Sequence, residues 1–207
     1  MRILRTIDRL RLKNKDFTIL CNNCIGGLIY HKHHLPFLSP TINMQMSPYD
    51  FIKFCANLSR YLDIELEEVT DCDDKWFRSI GGGAINFPVA HLDDILIYFQ
   101  HYHSFAEAKE AWNRRKARIN FDNIFIVLLD NWPSNNIINR FNKLPYKHKI
   151  YLYYHGNYTQ KNCFKLQHLE DTDLAWYQDM PRWFLKKKFY EQFDFEKWLN
   201  SYQPKQK

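Results

Sequence analysis

No run of apolar residues in this chain approaches the roughly 18 needed to cross a bilayer, which excludes a membrane-spanning helix. There is no second C-x-x-C to complement Cys21-x-x-Cys24, so a four-ligand zinc site is not expected and no metal ligands are assigned. The five cysteines (Cys21, Cys24, Cys55, Cys72 and Cys163) are odd in number and irregularly spaced, unlike a disulfide framework. Arg2, Arg5 and Arg9 interrupt the first apolar residues, so no secretory signal is read there. A reduced, cytoplasmic setting is expected. No nucleic-acid recognition signature is present, and a net charge of +6 is weak for a dedicated binder, so nucleic acid is not an expected partner. That charge does attract phosphates, acidic sugars or an anionic membrane surface. Neither an internal repeat nor a linker divides the 207 residues, and one domain is expected.

What the sequence does have is aromatic residues: 16 Phe, 13 Tyr and 6 Trp, enough for an aromatic core or for platforms that stack sugar rings or bases. Residues 1–15 carry six basic side chains and one acid, with Ile3, Leu4, Ile7 and Leu10 at helical spacing. They read as a basic amphipathic helix that packs on its own domain or lies on the inner face of the cell membrane. DFTIL is strand-like and leads into the NNCIGG loop. Ser47-Pro48 opens a helix, and Ser104 with Glu107 forms a capping box for another. IELEEV and the pair of segments within AINFPVAHLDDILIYF read as strands, and GGGA (81–84) as a mobile turn. NIFIVLL (123–129) is continuously apolar, as expected of a strand buried on both faces. A helix near 133–143, the strand KIYLYYH and a possible strand CFKLQHL follow, then a helical region from about 172 to 201. The expected fold is α/β: a single-domain layered fold with a mostly parallel central sheet flanked by helices. Its parts are the N-terminal helix (1–15), a core (16–155), a mainly helical C-terminal extension (156–201) and a frayed tail (202–207).

Three constellations could carry chemistry. Cys24 lies in the turn between a strand and a helix, followed by Gly26 and Gly27. Backbone N–H groups and the helix dipole there would favour an anion or a thiolate. Asn22 and Asn23 could donate amide hydrogen bonds to a substrate, or the segment could be a tight turn with Cys24 a small buried residue. His101 follows a strand ending near Phe99, so it too would stand at a strand's carboxyl end. Brought to Cys24, with Asp94 or Asp122 orienting its ring, it would complete an activated nucleophile. Arg115 and Arg118, three apart on one helix, could grip a phosphate or carboxylate, or form a solvated basic face. Asp71-Cys72-Asp73-Asp74 contains a D-x-D that could hold the divalent metal of a nucleotide-sugar enzyme, but acidic loops of this length are common.

The blocks NNC-x-GG (22–27), SPT-x-N (39–43), L-x-D-I (92–95), HY (101–102) and W-x-x-R-x-x-R-I-N-x-D-N (112–123) resemble the bacterial family called domain of unknown function nineteen-nineteen. Its members are often described as exopolysaccharide or capsule biosynthesis proteins. Cys21 stands where that family typically has Ser, and Ile25 where an aromatic is usual, which argues against a functional C-x-x-C pair. The matching blocks add Ser39, Thr41, Asn43, Tyr102, Trp112, Asn120 and Asn123 to Asn22, Asn23, Gly26, Gly27, Arg115 and Arg118 as expected substrate-binding positions. The resemblance implies a setting in surface polysaccharide biosynthesis. Within it the residues lead us to expect a transferase that moves an acyl or similar small group to a sugar or lipid-linked glycan from an anionic activated donor, with Cys24 as nucleophile, His101 as base and the Arg115/Arg118 helix gripping the donor. A glycosyltransferase using a nucleotide sugar and a non-catalytic glycan-binding or assembly factor are the alternatives. No cofactor is assigned.

Overall fold

The computed structural model describes residues 11–72, 75–79, 85–167 and 189–202. Along these residues the chain runs β1 (Thr18–Cys21), α1 (Ile25–Lys32), α2 (Pro48–Ala56), α3 (Leu58–Asp63), β2 (Glu67–Val69), α4 (Lys75–Ser79), β3 (Val89–Leu92), β4 (Ile95–Tyr98), α5 (Phe105–Lys116), β5 (Ile124–Asp130), α6 (Asn135–Asn142), β6 (His148–Tyr153), β7 (Cys163–Lys165) and α7 (Phe195–Leu199). Four strands form a parallel sheet in the order β1-β5-β6-β7. The apolar run of β5 is therefore central and covered on both faces. Its side chains alternate with period two. Ile126 and Leu128, with Leu20 of β1, face the cluster built by α2, α3, α5 and α6. Phe125 and Val127, with Ile19 and Cys21, face the cluster that contains Ile25 and Ile29 of α1 and Phe195 and Leu199 of α7.

The β3–β4 hairpin does not join that sheet. β2, β3 and β4 pair antiparallel in a sheet of their own, so the parallel sheet is accompanied by a small antiparallel one. The turn between β3 and β4 places Asp93 at φ 56°, a left-handed position that Asp tolerates better than most side chains.

Helix starts follow the expected chemistry. Ser47 Oγ accepts the Asp50 N–H at 3.0 Å with Pro48 in the first turn, and Ser104 Oγ accepts the Glu107 N–H at 3.2 Å. The Glu107 carboxylate closes the box one residue early, on the His103 N–H at 3.1 Å. At the chain's far end Asn200 Oδ1 accepts the Lys13 and Asn14 N–H groups, and its amide donates to the Arg11 carbonyl. The expected N-terminal helix up to residue 10, Asp73-Asp74, the GGGA turn, residues 168–188 of the expected C-terminal region and the tail beyond residue 202 lie outside the described residues.

Candidate functional site

β1 is an edge strand, and its outer N–H groups need partners from elsewhere. Ile19 N–H finds Tyr30 Oη at 3.1 Å and Cys21 N–H finds Thr41 Oγ1 at 2.9 Å. Thr41 Oγ1 lies 3.0 Å from Ser39 Oγ, and both residues are fully buried. Ser39 and Thr41, expected to bind substrate, thus cover the edge of the sheet, where their hydroxyls are taken up by Cys21 N–H and by each other. The same segment continues outward: Met46 N–H bonds Asn22 O at 3.0 Å, and Gln45 pairs with Tyr98 through bonds of 2.7 and 2.9 Å. This crossing strap ties the carboxyl end of β1 to the end of β4, and so sets the loop of Cys24 beside the turn of His101.

The two asparagines of the loop serve the backbone. Asn22 accepts the Leu129 N–H at 2.9 Å and donates to the Leu129 carbonyl at 3.0 Å, extending the sheet beyond the last residue of β1. Asn23 Oδ1 accepts the Ile25 N–H at 2.9 Å and stands 3.0 Å from Cys21 Sγ. Gly26 and Gly27 lie inside α1, not in a phosphate-cradling loop. A Cβ at Gly26 would touch Cys21 Cβ and Ile19 Cγ2 at 3.4 Å, so the residue marks a close approach of helix to strand.

Cys24 Sγ and His101 Nε2 are 3.2 Å apart across 77 residues of sequence. Burial pushes the Cys24 thiol up to about 12, with Cys21 adding to the shift, while desolvation holds His101 below its usual value. Burial thus works against the helix-stabilised thiolate expected at Cys24, and both shifts favour a thiol facing a neutral imidazole. The neighbouring Cys21 is also raised, to about 11, because complete burial outweighs the backbone N–H groups that surround its sulfur.

Neither expected carboxylate orients the imidazole. Asp94 is engaged by Lys53 and by Tyr61 Oη at 2.7 Å, and those contacts hold its pKa down. Asp122 is exposed at the amino end of β5, its N–H on Asn120 Oδ1, whereas Cys24 follows the carboxyl end of the parallel strand β1. Asn120 and Asn123 belong to that opposite edge too. The Asn120 N–H donates to Thr18 Oγ1 at 2.8 Å, and Asn123 Nδ2 donates to Asn14 Oδ1 at 3.0 Å and to Asp16 O. They clasp the entry to β1. Trp112 lies in the core against Phe54 and Phe99.

A cavity of 290 Å³ opens beside His101, lined also by Asn43, Tyr102, Glu107, Glu110, Ala111, Arg114 and Arg115. Arg115 shares the inward stripe of α5 with Ala108, Ala111 and Trp112, and only 7% of it is exposed. Arg118 falls past the helix end and is exposed, so the expected Arg115–Arg118 pair is replaced at the cavity by Arg114 and Arg115. Asn43 lines the same cavity from the strap, at φ 60°. Among the described residues no cluster of three or more His, Cys, Asp and Glu side chains is arranged to hold a metal ion. No helix among them is long and apolar enough to cross a membrane.

Sequence reasoning missed a second group at the carboxyl edge. Beyond β5, Trp132 is 68% exposed and stacks on His155, which follows β6, with ring centroids 4.2 Å apart and planes 7° from parallel. Beneath it Asp130 accepts from the Trp132 N–H at 3.0 Å and Tyr151 Oη at 2.6 Å, and burial raises its pKa despite those bonds. The usable signal was position: a Trp directly after the central strand of a parallel sheet lies on the edge where such folds bind ligands.

The fold and the Cys24–His101 pair define an α/β protein with a candidate site at the carboxyl edge of its parallel sheet. The chain belongs to the family described as Domain of unknown function (DUF1919), whose model matches residues 2–200. It is similar to an uncharacterized protein of Haemophilus influenzae, with 34% identity over 201 residues that cover 96% of this chain and 90% of the relative.

Proposed function

We propose that the protein is a transferase that moves an acyl or similar small group to a sugar or lipid-linked glycan acceptor, with Cys24 as nucleophile and His101 as general base. The observation that carries this reading is the 3.2 Å approach of Sγ to Nε2 at the carboxyl edge of the sheet. His101 takes the thiol proton as Cys24 Sγ attacks the donor's carbonyl carbon, and returns it to the departing group, leaving a thioester on Cys24. The acceptor hydroxyl then attacks that thioester, His101 takes the hydroxyl proton, and the proton ends on the released Cys24 thiol. A neutral imidazole is the form that can accept a proton, which suits the lowered pKa of His101. The acceptor class, a bacterial surface polysaccharide or its lipid-linked precursor, follows the family resemblance. The exposed Trp132 face on His155 supports it, because an aromatic face binds the apolar side of a sugar ring.

The test uses p-nitrophenyl acetate as a generic acyl donor and peptide mass mapping as the readout. One acetyl group on Cys24 is expected, formed on the order of a hundredfold more slowly in His101→Gln, the size of a general-base contribution. Acetylation spread over Cys72 and Cys163 with none at Cys24, or an unchanged rate in His101→Gln, would overturn the reading.

A further inference from the structure

We propose that the cavity beside His101 is a seat for one anionic group of the donor, a phosphate or a carboxylate, and that Arg115 is the charge that holds it. Only the identification of the ligand as the donor rests on the transferase reading. The seat itself rests on the charges around the cavity.

Two carboxylates and two guanidinium groups line it, but they are not equally engaged. Glu110 is paired with Arg114 at 3.0 Å, one turn along α5. Glu107 accepts the His103 N–H in the helix cap. The hydrogen-bond and ring partners of Arg115 among the described residues are neutral: it donates to Tyr102 Oη and, at 3.4 Å, to the Ile42 carbonyl, and it lies over the Phe37 ring at 5.1 Å. Tyr102 is no counterion, since burial raises its pKa and its hydroxyl donates onward to Ile42 O at 3.2 Å. No ion pair is formed by Arg115 among the described residues. A guanidinium held this far from water ordinarily has an anionic partner, because burying an uncompensated charge is costly. Its planar fork matches the paired oxygens of a phosphate or a carboxylate. The cavity is the direction from which such a partner can come, and at 290 Å³ it has room for one.

The seat has a consequence for the nucleophile. His101 lines the same cavity while its Nε2 faces Cys24 Sγ. Its ring meets the Cys24 thiol, and the cavity it lines is shared with Asn43 from the strap, the adjoining Tyr102, and Glu107, Glu110, Arg114 and Arg115 from α5. An anion bound on Arg115 adds a negative charge to this set, favours the protonated imidazole and strengthens His101 as a base. The donor's own charge thereby prepares the pair that is neutral when the seat is empty.

The experiment titrates the full chain with inorganic phosphate, pyrophosphate and acetate at constant ionic strength, following the His101 ring resonances by NMR. Their assignment comes from the signals that vanish in His101→Gln. Saturable shifts of the His101 resonances, and a higher His101 pKa at saturation, are expected in the wild type. Arg115→Gln should weaken binding about tenfold or more, the loss of a charged hydrogen bond, while Arg118→Gln should bind as the wild type does. A response to the phosphates alone assigns a phosphorylated donor, and a response to acetate assigns a carboxylate. No saturable response to any of the three in the wild type overturns the proposal without recourse to a variant, as does equal binding by Arg115→Gln. Binding without Cys24 acetylation would sink the transferase and leave the seat standing. Acetylation without binding would do the reverse.

Discussion

At the scale of single residues, the chemistry of Cys24 is decided by which of two opposing effects is larger. The loop places it at a helix start, which favours a thiolate, but burial and the neighbouring Cys21 push the thiol up to about 12. The alkylation rate of Cys24 with iodoacetamide should therefore climb with pH, about tenfold per unit, with no plateau between pH 7 and 10. A plateau reached below pH 8 in mass-resolved kinetics would show the helix start to be the stronger term. His101 gives the other limb. Its pKa is lowered, so it is neutral at pH 7 and charges only below its ordinary value of 6.5. Acetylation of Cys24 should fall as the medium is acidified through that lowered value, and a fall already half complete at pH 7.5 would contradict it. Asn22 reads differently at this scale. Its amide closes both hydrogen bonds with Leu129 in a buried position, so Asn22→Ala should lose about 2 kcal/mol in urea unfolding, from two backbone groups left unpaired. Asn22 and Asn23, expected to face a substrate, instead hold the loop of Cys24 through backbone hydrogen bonds.

Elements explain which parts of this were legible beforehand. Signals confined to one element were clear: Ser47-Pro48 before α2, the Ser104 and Glu107 pair before α5, the apolar run of β5. The misplacements came from reading spacing without facing. Arg115 and Arg118 are three apart, but the apolar stripe Ala108, Ala111, Trp112 already selects Arg115 as the inward one. Asn120, Asp122 and Asn123 precede a parallel strand, which puts them at its amino end and away from a site at the carboxyl end. The strap of Ser39 to Met46 was legible only in part, as the block SPT-x-N, since its role is to pair with two distant elements. The docking of α7 is equally long-range and carries its own prediction. Glu196 pairs with Lys32 of α1 at 2.7 Å and with His33 at 3.4 Å. Burial alone would raise its pKa, but the Lys32 contact, together with a backbone N–H and His33, outweighs it and the net shift is downward. A lowered carboxylate pKa contributes stability that is present above the unfolded value near 4.5 and lost as pH falls through the lower folded one. Glu196→Gln should thus cost about 0.5–1 kcal/mol at pH 7 and nearly nothing at pH 3, by urea unfolding at both. An equal cost at the two pH values would mean that packing, not charge, holds α7 to α1.

Over the whole molecule the two edges of the parallel sheet divide the work. The amino edge carries the asparagine clasp that fastens the chain before β1 to the turn before β5. The carboxyl edge carries Cys24 after β1, Trp132 after β5 and His155 after β6. Strand direction alone accounts for the split, because every crossover in a parallel sheet returns the chain to the same end. The consequence is that stability and activity should separate by edge. Asn123→Ala removes the bonds to Asn14 and Asp16 from a buried position and should cost about 1–3 kcal/mol, yet leave the rate of Cys24 acetylation unchanged under folding conditions. Trp132→Ala should do the opposite. Its ring is 68% exposed, so the change should fall within about 0.5 kcal/mol of neutral in unfolding and leave the first acyl transfer intact. On the transferase proposed above it should slow only the second step, the release of the acetyl group to a sugar acceptor, whose ring that proposal seats on the aromatic face. Deacylation of pre-acetylated protein by a panel of hexoses reads this step directly. A sugar-dependent rate that survives Trp132→Ala would remove Trp132 from the acceptor site, and a rate lost with Asn123→Ala at full folding would break the division between edges.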